Sequence, residues 1–297
     1  MERYYFLFAL ALIWIIFATI QDLRKREVAN WLTYSLIIFA LAYRAFYSLS
    51  SGDFRFFAYG LLGFGIFWAL AYAFYYGKVF AGGDAKLLMG LGAIIPGESI
   101  NDLAINLVFF LLLLFFLGAI YSLVFSLGIV YNRYDGFKKE FVKRIGKEKR
   151  TLSFLLAIYV LLVLVFIGDL LFGIFNYESG FYFRSAFYLV PFIFFFVILF
   201  IYLKSLEYGA LIKKVGPKFL REGDWLEKDV KMSRGWIRKS VHGLSIEEID
   251  KLRRARKSAW IREGIPFVPA FLIAFLVMLF FFFFLGLFPR EIFLFLS

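Results

Sequence analysis

The feature that most restricts what this chain can become is a succession of long apolar runs carrying little charge. They fall at Tyr4–Ile20, Trp31–Ser48, Phe54–Tyr76, Leu103–Tyr131, Leu152–Phe175, Ser185–Leu203 and Pro266–Phe288. As helices, runs of about 17 to 25 such residues are long enough to cross a bilayer, where each backbone polar group must be satisfied inside the segment itself. Composition points the same way, since 62% of the 297 residues are hydrophobic and 43 are phenylalanine, more than a water-soluble core uses.

An eighth apolar stretch, Ala85–Ile95, is too short to cross and is stopped by Pro96-Gly97. It is expected to be sheltered by its neighbours. The expected fold class is therefore an all-α polytopic membrane protein with about eight membrane helices, one of them short, and a small α+β cytoplasmic segment.

Basic residues orient this layout, because short cytoplasmic loops are enriched in Lys and Arg. With Met1 outside, 29 of the 34 Lys and Arg fall in the four inner segments Gln21–Asn30, Gly77–Lys86, Asn132–Thr151 and Lys204–Ile265. Arg3, Arg44, Arg55, Arg184 and Arg290 make up the remainder. The net charge of +12 then follows from topology, so membrane lipids and not nucleic acid are the expected surroundings. The first run has only Arg3 before it and no small-residue cleavage site after it, which reads as a retained span.

Four regions are expected: residues 1–131 with the candidate catalytic helices, 132–205 with a basic loop and two further spans, 206–265 as a small cytoplasmic domain, and 266–297 as the last span and tail. Within 206–265, Gly216-Pro217 and Gly223-Asp224 are turn signals and Trp236–Val241 reads as a strand. Ser245 and Glu248 form a capping box at the start of a helix from Ile246 to about Lys257.

Chemistry is narrowed by what is missing. The chain has no cysteine, which excludes disulfides, a thiol nucleophile and cysteine-ligated metal. Its one histidine, His242, lies in the inner segment and reads as a loop residue. Neither a serine–histidine pair within the bundle nor a two-histidine zinc motif can be built from it. No cofactor and no metal is called for.

Carboxylates remain. Asp22, in Gln21-Asp22-Leu23-Arg24, and Asp84, in Ala81-Gly82-Gly83-Asp84-Ala85-Lys86, both sit where an apolar run meets the inner face. Two carboxylates sharing one proton can activate water with one partner and protonate a scissile carbonyl with the other. Gly82 and Gly83 would supply backbone angles closed to other residues and close approach, with Asp84 at the N-cap of the short helix. Singly, each aspartate also reads as a helix cap or an interfacial charge. Lys86 reads as an interfacial anchor or as a bias on Asp84, and Asp169 as an interhelical or interfacial carboxylate near the outer end of its span. Asp224 and Asp229 read as turn and surface carboxylates.

Asp22-Leu23-Arg24-Lys25-Arg26-Glu27-Val28-Ala29-Asn30-Trp31 resembles the signature after the first helix of the type IV prepilin peptidase family, which includes archaeal preflagellin peptidases. Gly82-Gly83-Asp84-Ala85-Lys86-Leu87-Leu88 resembles that family's GxGD segment, with Ala81 in place of its first glycine. The resemblance implies a membrane aspartic endopeptidase with Asp22 and Asp84 as the catalytic pair and Gly82, Gly83 and Lys86 in the supporting loop. Its partners would be precursors with class III signal peptides, whose short basic leaders are cut at the cytoplasmic face of the cell membrane. The 206–265 segment is similar to a domain of some archaeal members. The four-cysteine zinc site of many bacterial members is absent, so methyl transfer is not expected.

Charge pattern alone nominates Glu27, Asp135 and Glu140 as contacts for a basic leader. Two other classes are carried alongside: a transporter or channel using the membrane aspartates, and a non-catalytic relative acting in filament assembly.

Overall fold

A computed structural model of the chain describes residues 2–172, 177–233, 235–240 and 243–284. In chain order its helices are α1 (Glu2–Lys25), α2 (Asn30–Ser51), α3 (Phe54–Tyr76), α4 (Gly82–Gly92), α5 (Ile100–Asn132), α6 (Tyr134–Lys147), α7 (Lys149–Phe172), α8 (Tyr177–Gly209), α9 (Ile246–Arg254) and α10 (Val268–Phe284). Short strands β1 (Ile212–Val215), β2 (Trp225–Leu226), β3 (Val230–Lys231), β4 (Trp236–Ile237) and β5 (Ala259–Arg262) lie between α8 and α10. Among the described residues, six helices (α1, α2, α3, α5, α7 and α8) are long and apolar enough to cross a membrane, and α10 is a shorter apolar helix. The chain is a polytopic membrane protein.

It divides into two compact units, Met1–Phe125 with Gly264–Ser297, and Ser126–Glu263. In the first, α2 is ended by Gly52, whose φ of 74° is the left-handed conformation that favours glycine. The Asp53 side chain then caps α3 by accepting from Arg55 N at 3.2 Å.

The short α4 is enclosed as expected, with Leu87, Leu88 and Leu91 at most 1% exposed. What lets it fit is glycine: Gly63 of α3 and Gly92 of α4 meet backbone to backbone, and a Cβ on Gly63 would stand 2.3 Å from Gly92 O. Small residues at such crossings let helices approach without a side chain between them.

Beyond its last turn, α4 is held by Arg44. This wholly buried guanidinium donates to Phe56 O (2.8 Å), Ile94 O (3.3 Å) and Ile95 O (2.9 Å), and lies over the rings of Tyr4 and Phe56. An intramembrane charge is retained only where it finds such partners. Two of them, Ile94 O and Ile95 O, follow the C-terminal end of α4, where carbonyls are left open, and the third, Phe56 O, belongs to the first turn of α3.

The second unit corrects two expectations. The basic segment 132–151 is not a loop, because it contains α6. Phe137 and Phe141 fall on one helical stripe and stack at 5.3 Å, and Phe137 meets Tyr202 of α8 edge-on at 5.4 Å. Gly136 and Gly209 let the two backbones touch. The expected strand over 236–241 is only β4, a two-residue partner of β3, and residues 241–242, with His242, lie outside the described set.

β1, β5 and β2 form an antiparallel sheet in that order, burying Val215, Leu226, Ala259 and Ile261 with Ile249 and Leu252 of α9. The capping box is present: Glu248 N donates to Ser245 Oγ at 3.3 Å, and Ser245 N to Glu248 Oε2 at 3.0 Å. Asp224 and Asp229 are turn acceptors, from Arg221 N and Lys239 N respectively. Asp169 lies near the end of α7, half-buried. The outer ends of two expected spans, at residues 173–175 and 285–288, fall outside the described residues.

Candidate active site

Asp22 occupies the last turn of α1 and is 7% exposed, and Asp84 occupies the first turn of α4 and is 8% exposed. The two carboxylates, 62 residues apart in sequence, come to one region where Val28, just past α1, packs on Gly83, the residue before Asp84, and there the charge of Asp22 acts on Asp84. Both are buried, and neither forms an ion pair with a basic side chain among the described residues.

Each carboxylate is held by backbone instead. Asp22 Oδ2 accepts from Val268 N at 3.0 Å, so the open N–H groups at the start of α10 provide an anion site. Asp84 Oδ2 accepts from Ala81 N at 3.2 Å. This differs from the sequence expectation, which put Asp84 at the N-cap. The helix begins earlier, with Ala81 as N-cap and Asp84 in its third position, reaching back over the first turn.

The glycines also act differently from expectation. Gly82 and Gly83 are helical, and neither has positive φ. Gly83 is required for closeness: a Cβ there would meet Val28 Cβ at 3.1 Å and Cγ2 at 3.3 Å, where the α1–α2 turn crosses α4. At Gly82 a Cβ would meet only Tyr75 Cε2, at 3.7 Å. Ala81, with φ −72° and ψ 165°, has extended geometry open to any residue, so the departure from the GxGD pattern costs no backbone strain.

Lys86 turns away from Asp84. Its Nζ donates to Asn30 Oδ1 at 2.5 Å and lies 5.5 Å from the Tyr34 ring centre, tying α4 to α2. Four residues before Asp84, buried Phe80 packs among Phe74, Phe267 and Phe271 at 5.2 to 5.8 Å, an apolar cluster leading into α4 and α10.

The three nominated leader contacts are in different settings. Glu27 is exposed in the α1–α2 turn beside Val28, and Asp135 is exposed in the first turn of α6. Glu140 is already engaged, by Lys143 at 3.1 Å and Arg144 at 3.8 Å on its own helix. A cleft at the opposite end of α1, lined by Arg3, Asp53, Tyr59 and Glu98, is closed by ion pairs from Arg3 to Asp53 and Glu98 and contains neither aspartate of the pair.

Sequence reasoning missed the α10 N-terminus as a partner of Asp22. Its signal was present: Pro266 and Pro269 bracket a helix start, and the charge-based layout put that start on the same face as Asp22.

Residues 9–123 match the model of the type IV leader peptidase family. The chain is 36% identical over 89 residues to a preflagellin peptidase of Methanocaldococcus jannaschii, covering 30% of this chain and 38% of the relative. It is 28% identical over 159 residues to one of Methanococcus voltae, covering 49% and 68%, and 32% identical over 82 residues to one of Methanococcus maripaludis, covering 28% and 35%. The first and third of these relatives are thus matched over little more than a third of their length. No solved structure matches the chain. The matched stretch carries both aspartates, and over it the chain resembles the type IV leader peptidase family, of the archaeal preflagellin peptidase type.

Proposed function

We propose that this chain is a membrane aspartic endopeptidase that removes short basic class III leader peptides from pilin-like or archaellin-like precursors at the cytoplasmic face. The observation that carries this reading is the pair Asp22 and Asp84: buried, interacting electrostatically, in direct ion-pair contact with no basic side chain among the described residues, and held by main-chain N–H groups, with the Arg26 charge acting on Asp22 from farther off. Two like charges in one apolar site cannot both ionise easily, so they share a proton. The ionised member takes a proton from water as the oxygen attacks the scissile carbonyl, and the protonated member gives its proton to the carbonyl oxygen. Collapse of the resulting diol breaks the C–N bond and returns a proton to the leaving amine. The main-chain donors orient the carboxylates without neutralising them, which an Arg or Lys would do.

The inner location of the site rests on the concentration of Lys and Arg in the four segments that alternate with the spans. The precursor class rests on the likeness to preflagellin peptidases. The test is cleavage of a precursor with a basic leader by the purified full chain and by Asp22→Asn and Asp84→Asn. Each single variant is expected to lose cleavage while keeping the parent's thermal midpoint. Retention of cleavage by both would remove the reading.

A further inference from the structure

Four side-chain nitrogen or oxygen atoms among the described residues are fully screened from solvent yet lack a hydrogen-bond partner, and two of them are hydroxyls, Thr19 Oγ1 and Tyr121 Oη. Unmet buried hydroxyls are uncommon, because desolvation costs them more than burial returns. A helical threonine ordinarily gives its hydroxyl to the carbonyl one turn earlier, and Thr19 does not.

Their positions converge. Thr19 precedes Asp22 by three residues and so stands one turn deeper on the same face of α1, buried with it. Tyr121 comes from α5. One turn before it, Gly118 lies against α10, where a Cβ would meet Phe267 Cζ at 2.6 Å and Ala270 Cβ at 3.5 Å. Between those two residues is Val268, whose N–H binds Asp22. The charges of Asp22 and Arg26 both act on the Tyr121 phenol. Two hydroxyls without a hydrogen-bond partner thus stand in the neighbourhood of Asp22, one from α1 and one from α5.

An extended peptide brought to the two acids arrives with backbone carbonyls stripped of water, and each needs a donor. We propose that Tyr121 and Thr19 contact the bound precursor, donating hydrogen bonds to backbone carbonyl oxygens at the scissile bond and so holding it over Asp22 and Asp84. The inference rests on the peptidase reading above. No proton is transferred from either hydroxyl. The bond from Tyr121 strengthens as negative charge grows on the carbonyl oxygen, so its effect falls on turnover.

The test compares Tyr121→Phe and Thr19→Val with Asp22→Asn and Asp84→Asn, all as full chains in detergent micelles. The probe is a synthetic precursor segment with a Lys/Arg-rich leader followed by an apolar helix. Tyr121→Phe is expected to lower kcat roughly tenfold to a hundredfold, with KM within about threefold. Its thermal midpoint should lie at or above the parent's, since an unmet hydroxyl has been removed. Thr19→Val should shift both quantities in the same directions. A structural role would instead lower midpoint and activity together. Parental kcat in both hydroxyl variants, with the aspartate variants inactive, would overturn this inference alone. Cleavage by the aspartate variants would overturn the peptidase reading and this inference with it.

Discussion

Replacing Gly63 by Ala tests how the fold positions Asp84. The new Cβ would lie 2.3 Å from Gly92 O, and the reciprocal change at Gly92 would put a Cβ 2.5 Å from Gly63 O and 2.7 Å from Phe67 Cβ. An ordinary carbon–oxygen contact is about 3.3 Å, so α3 and α4 must separate by about 1 Å. Backbone atoms stand on both sides, and no rotamer change relieves the clash. Overpacking of this kind costs about 1–3 kcal/mol.

The functional effect should be larger than the thermodynamic one. Asp84 lies eight residues along α4 from Gly92, about 12 Å at 1.5 Å per residue, and a short rigid helix passes the displacement to its other end. A shift of about 1 Å at reacting groups costs on the order of a hundredfold in rate. The assay is kcat on a leader-bearing precursor beside the thermal midpoint, with Gly65→Ala as control, because a Cβ there meets nothing within 4 Å. Parental turnover in Gly63→Ala, or an equal loss in the control, would refute the idea that this crossing sets the position of Asp84.

Arg44→Met should lower stability by roughly 3 kcal/mol in equilibrium unfolding, because two carbonyls beyond α4 lose their donor. Arg44→Lys should not restore it, since one ammonium cannot reproduce a planar fork that spans three carbonyls. Gly82→Ala should leave cleavage and stability near parental values, whereas Gly83→Val, pressed on Val28, should reduce cleavage at least tenfold, measured side by side. Ser245→Ala should cost about 1 kcal/mol through its lost cap. Faster amide exchange would be confined to the start of α9, with cleavage unchanged.

The spans were legible because hydropathy over some twenty residues is a one-dimensional property, and the bilayer makes helix its only outcome. The α9 capping box was legible for a related reason: Ser245 and Glu248 interact within one turn. Failures came where the outcome depends on distant partners. Segment 132–151 is rich in charge, which by itself suggests a loop, yet Phe137 and Phe141 form a stripe that becomes decisive only when Tyr202 and Gly209 lie opposite. Lys86 could have faced Asp84 until Asn30 and Tyr34 were placed beside it.

Residue order alone determined where the apolar helices lie along the chain, the alternation of basic segments and the two short stretches around Asp22 and Asp84, while helix ends differ, α8 running over Tyr177–Gly209 where Ser185–Leu203 is expected. Tertiary structure decided which groups surround those acids: Val268 N–H from 246 residues away, Val28 pressed on Gly83, and the unmet hydroxyls of Thr19 and Tyr121. Hydropathy and charge act residue by residue along the chain. Hydrogen bonds and clashes act over about 3 Å in space, and only packing determines which distant residues come that close.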